Sequence, residues 1–61
     1  MKSKRVHIQC DNRYNRGQTL YYQEGYGFST FYKNRTIFER ENAERIISKL
    51  KFNNPRIIEE N

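Results

Sequence analysis

The stretch FERENAERIISKLKF, residues 38–52, constrains the architecture more than any other part of the chain. Ala43, Ile46, Ile47 and Leu50 recur at i, i+3, i+4 and i+7, the apolar stripe of an amphipathic helix. Glu41 stands four residues before Arg45, the favourable order for an ion pair along a helix. Lys49 and Lys51 fall in the last turn, where cations suit the dipole. Thr36 and Glu39 have capping-box spacing, yet a start there would push Ile37 and Phe38 off the stripe, so the helix is expected to begin near Glu39 or Arg40. NNP ends it, because Pro55 cannot continue a helix and Asn tolerates a left-handed cap. One helix with one apolar stripe needs a second layer to cover it.

The rest of the chain supplies that layer as sheet. RVHIQC alternates Val6, Ile8 and Cys10 against Arg5, His7 and Gln9, the period of a half-buried strand with His7 exposed and Cys10 inside. DNRYNRG, residues 11–17, is dense in Asn, Asp and Gly and reads as a loop. QTLYYQE is a second strand, with Leu20 and Tyr22 on one face and Tyr21 on the other. A turn or kink at Gly25 to Gly27 leads into FSTFY as a third strand, then KNR turns again and TIF adds a short extension. PRIIEE reads as a last short strand or as a tail packing Ile57. The expected fold class is α+β: one domain over residues 1–61, with residues 1–4 flexible, a three- to four-stranded antiparallel meander and one helix packed on one face.

Size makes the core small. A chain of 61 residues buries only about 60% of its unfolded surface, and dimerisation is one way to bury more. Hydrophobic residues are 34% of the chain, but aromatics are 15%, so a few large side chains carry much of the burial and favour a folded domain. With Cys10 the one cysteine, no internal disulfide framework exists, and no apolar run has the length of a signal peptide or membrane span. A cytoplasmic, intracellular protein is the expectation.

EGYGFSTF, residues 24–31, carries the one motif. Gly25, Tyr26, Gly27, Phe28 and Phe31 match the pattern K/R-G-F/Y-G/A-F-V-x-F/Y, with Glu24 and Ser29 departing from it. The stretch resembles the octapeptide of the RNA recognition motif, and NAERIISKL is loosely similar to the helix that follows it there. The resemblance implies that Tyr26 and Phe28 stack on bases from an exposed sheet face, with His7 taking a stacking place on the first strand. In the family a helix separates the first two strands, where this chain has DNRYNRG. Two arrangements stay open. If the octapeptide alternation governs, Tyr26 and Phe28 are exposed and Phe31 is buried with Ser29. If core burial governs, Phe28 and Tyr32 face the helix and Phe31 lies outside.

Charge points the same way without the motif. Residues 1–35 carry seven Lys and Arg against two carboxylates, whereas residues 36–61 carry five of each, so the whole +5 lies in the first part. In a meander the loop at 11–17 and the turn at KNR share one end of the sheet, gathering Arg13, Tyr14, Arg16, Lys33 and Arg35. Such a cluster suits phosphates, with Tyr14 free to stack, and equally suits an acidic protein surface.

Enzyme chemistry has no foothold. One His and one Cys cannot build a zinc site, and three residues apart on a strand they point to opposite faces, which argues against a nucleophile–base pair. No P-loop or dinucleotide-binding glycine pattern occurs. No cofactor, metal or membrane is expected. The sequence therefore reads as a small binding module for RNA or single-stranded nucleic acid, through Arg13, Tyr14, Arg16, Tyr26, Phe28, Lys33, Arg35 and His7. The helix exterior is neutral and ill suited to a major groove. The alternative is an inhibitor of viral or mobile-element type, docking on a protein by its sheet edge or aromatic face.

Overall fold

A computed structural model describes residues 4–50 and 53–60. Strands β1 (Arg5–Asp11), β2 (Thr19–Gln23) and β3 (Gly27–Ser29) form an antiparallel meander, followed by a 3₁₀ turn at Tyr32–Asn34. Strand β4 (Phe38–Glu39), helix α1 (Arg40–Ile47) and strand β5 (Asn53–Glu59) complete the order. The fold is α+β, as the periodicities require, but the sheet has five strands and β1 at its centre. Gln9 pairs with Tyr21 of β2 and with Arg56 of β5, while Val6 pairs with Phe38 of β4 and Glu59 of β5. Since a strand has two edges, β5 runs along one, and β2 and β4 share the other.

The helix starts at Arg40, within the expected bounds, with Glu39 as a cap lacking a side-chain hydrogen bond. Thr36 is engaged elsewhere: its Oγ1 accepts the Glu24 N–H at 2.8 Å, and its own N–H donates to Tyr22 O at 3.0 Å. Regular helix stops at Ile47, yet N–H groups of Lys49 and Leu50 bond back to Ile46 and Ile47 carbonyls, keeping Leu50 on the stripe. The left-handed Asn appears at Asn54, φ 52°, inside a β-bulge of β5 and not as a helix cap. The expectations for residues 1–3 and for Lys51 lie outside the described residues.

Helix-facing residues of β1 are Val6, Ile8 and Cys10, all fully buried, and with Phe38 and Ala43 they make the core. Tyr22, Ile46, Ile47, Leu50 and Ile57 close over it. The third strand is shorter than expected. It ends at Ser29, whose Oγ accepts the Phe31 N–H at 3.1 Å, so a local side-chain bond replaces the next ladder bond and turns the chain back over the sheet.

Candidate nucleic-acid interface

The loop at 12–18 takes its shape from its own amides. Asn12 N–H donates to Gln18 O at 3.1 Å, Gln18 N–H to Asn15 O at 3.2 Å, and Asn12 Oδ1 accepts the Tyr14 N–H at 2.9 Å. With the backbone satisfied by Asn12, Asn15 and Gln18, the side chains of Arg13, Tyr14 and Arg16 are left outside, and Tyr14 is 90% exposed. Arg13 and Arg16 border an open hollow of about 530 Å³ with Asp11, Asn12 and Gly17. Asp11 does not cancel them, because its Oδ1 accepts from Arg56 Nη1 at 3.0 Å and its Oδ2 from Asn54 at 3.4 Å. Arg56 is thereby brought to this end of the sheet, a residue that chain position did not suggest.

Arg35 does not join that group. Its Nε and Nη2 grip both oxygens of Glu60 at 2.7 and 2.9 Å, and the Glu60 N–H donates to Arg5 O at 2.8 Å. This places Arg35 at the start of β1, about 20 Å of strand from the loop that follows Asp11. The expected gathering of Arg35 with Arg13 and Arg16 fails because the 3₁₀ turn carries the chain back across the sheet before Arg35. The Arg35 hydrogen bonds, helped by that from His7, hold the Glu60 carboxyl at about 2. The same pairing raises the Arg35 guanidinium above its ordinary value.

His7 is also not where alternation alone places it. It does point away from the helix, but it is 1% exposed. Tyr21 and Tyr32 cover it, their rings 6.1 and 5.6 Å from the imidazole, and Arg35 lies 3.8 Å above the Tyr32 ring. Nδ1 bonds Glu60 and Nε2 bonds the Gln9 side-chain amide at 2.9 Å. Both ring nitrogens of His7 thus have partners inside the fold. His7 therefore has no open face on which a base stacks.

The octapeptide divides between core and surface. Gly25 and Gly27 have φ of 83° and 120°, and the turn they allow is closed by Tyr26 N–H to Gln23 O at 3.0 Å. Phe28 pairs with Tyr22 on the helix side, rings 5.4 Å apart, and is half-buried. Ser29 is buried, while Tyr26 and Phe31 are 72% and 61% exposed. Core burial thus decides Phe28 and Phe31, but Tyr32 goes over His7 and not toward the helix. Tyr26 and Phe31 flank a hollow of about 360 Å³ completed by Gln23, Phe28, Ser29, Thr30 and Asn34. Lys33 is exposed on the 3₁₀ turn.

Of the eight expected residues, Arg13, Tyr14 and Arg16 come together on one loop, Tyr26 and Lys33 are exposed elsewhere, and His7, Phe28 and Arg35 are engaged within the fold. Cys10 is fully buried, and that burial pushes its thiol up despite nearby Arg56. Among the described residues no helix is long and apolar enough to cross a membrane. A scan against protein-family models found no match, and searches of curated proteins and of solved structures found none.

Proposed function

We propose that the protein is a non-enzymatic binding module for single-stranded nucleic acid, RNA foremost, with the loop at 12–18 as its phosphate contact. The observation that carries this reading is the outward presentation of Arg13, Tyr14 and Arg16 beside an aspartate already neutralised by Arg56. Arginine forks match phosphate oxygens, and an exposed tyrosine between them offers a face to a base. Lys33 adds a further exposed cation on the same module.

The test is a titration with mixed single-stranded RNA across about 50 to 200 mM salt, following tyrosine fluorescence in a chain with five tyrosines and no tryptophan. Each phosphate contact to a single strand contributes about 0.7 to the slope of log K against log salt, so the Arg13→Ala/Arg16→Ala double variant is expected to lose about 1.4 of slope. Absence of saturable quenching at the lowest salt would sink the reading. In that event the exposed Tyr26 and Phe31 beside the short strand β3 are the surface on which to seek a protein partner by pulldown, an acidic one matching the basic charge of the chain.

A further inference from the structure

Resting on that reading, we infer that the hollow between Tyr26 and Phe31 is a pocket for one unstacked base of the bound strand, read at its edge by the carboxamides of Gln23 and Asn34. Four observations converge on it. The two rings are the most exposed of the described aromatics after Tyr14, and neither packs against another described ring. The hollow between them holds about 360 Å³ and mixes aromatic faces with amide and hydroxyl groups, the combination a planar heterocycle with a polar rim requires. Gln23 and Asn34 each offer both a donor and an acceptor, so they can satisfy a base edge, which also carries both. The pocket also lies along the strand that leads out of the phosphate loop. Thr19 follows that loop, and Tyr21, two residues on, pairs with Ser29 in the pocket wall. Gln23, the pocket's residue on β2, is four residues beyond Thr19, so about 13 Å of strand separates it from the end of the loop, a span that several nucleotides of one strand cover.

The charge pattern gives the pocket its own signature. Glu24 precedes it and Lys33 adjoins Asn34, one carboxylate and one ammonium, so the pocket adds no net charge where the loop adds two. Base stacking there contributes affinity without releasing counterions. Loss of an aromatic wall is therefore expected to lower affinity by one factor at every salt concentration, leaving the salt slope unchanged. Loss of the loop arginines does the reverse and changes the slope.

The experiment compares a fluorophore-labelled short oligothymidine with an abasic strand of equal length and charge, by anisotropy at low and moderate salt. The native protein is expected to prefer the strand with bases by roughly 5- to 100-fold, the range for one stacked base. In a Tyr14→Ala background, which removes stacking at the loop, Tyr26→Ala and Phe31→Ala each collapse that preference toward unity, and Tyr26→Phe restores it. Circular dichroism keeps the comparison sound, since both rings are exposed and their truncation leaves the core in place. Equal binding of the two strands by the native protein, or a preference that survives both alanine variants in the Tyr14→Ala background, overturns the pocket while the phosphate loop stands. Failure of both strands to bind even at low salt removes the nucleic-acid reading and the pocket with it.

Discussion

Glu60 joins three parts of the chain that are far apart in sequence. Its carboxylate takes two hydrogen bonds from Arg35 and one from His7, and its backbone N–H meets Arg5. The ordinary carboxyl value of 4.5 applies to the unfolded chain and about 2 to the fold. Stabilisation is therefore complete above about pH 4.5 and drains away as pH falls toward 2. Urea midpoints are expected to drop across that interval in the native protein and to change less in Glu60→Gln, which also starts lower at neutral pH. Equal acid sensitivity in the two proteins would mean that the loss arises at other carboxylates. Asp11 belongs to the same scale, being the residue that occupies Arg56. Asp11→Asn leaves Arg56 available to phosphate, so RNA binding is expected to tighten and its salt slope to steepen by about 0.7. An unchanged slope would place Arg56 off the path of the strand.

At the level of elements, the β2–β3 hairpin turns on Gly25. A Cβ there meets nothing within 4 Å, so the cost of Gly25→Ala is purely conformational, the φ of 83° being disfavoured for an L side chain. The expected loss is about 1 kcal/mol by urea titration, with Gly25→Asn recovering part of it. If alanine is tolerated without loss, the turn has another geometry. The hairpin was legible in EGYG because glycine and turn chemistry act over four residues. The end of β3 was not. FSTFY has the alternation of a longer strand, and only the Ser29 hydroxyl bonding back to Phe31 stops it. That one bond puts Tyr32 over His7, so it also explains why a residue with an exposed-strand pattern is buried.

The whole molecule rests on a thin core. Val6, Ile8, Cys10, Phe38 and Ala43 are its buried apolar residues among those described, and the opposite face is sealed by a polar cluster around His7. No buried side-chain N or O among the described residues lacks a partner, so the cluster closes the second face without an uncompensated polar group. A chain of 61 residues has roughly 3–9 kcal/mol of stability in total. Ile8→Ala, at a fully buried site between two paired strands, is expected to cost about 2–5 kcal/mol and to leave a sizeable unfolded fraction at 25 °C. Ile8→Val, losing one methylene, is expected to cost about 1 kcal/mol and to stay folded. Chemical denaturation of the pair measures both, and a mild Ile8→Ala would mean that the core relaxes around the gap.

By itself the sequence determined what depends on neighbours a few residues away. The helix follows from the spacing of Ala43, Ile46, Ile47 and Leu50, β1 from the alternation through Cys10, and the exposed arginine loop from its run of Asn and Gly. Tertiary structure alone decided the pairings across long separations: β5 against β1, Arg56 with Asp11, and Glu60 with His7 and Arg35. Those pairings changed the candidate interface, withdrawing His7 and Arg35 and setting Arg56 beside the loop, held by Asp11. The reason is that periodicity records which side of an element is apolar, while the partner of a charge or a strand edge is set by where the whole chain folds back.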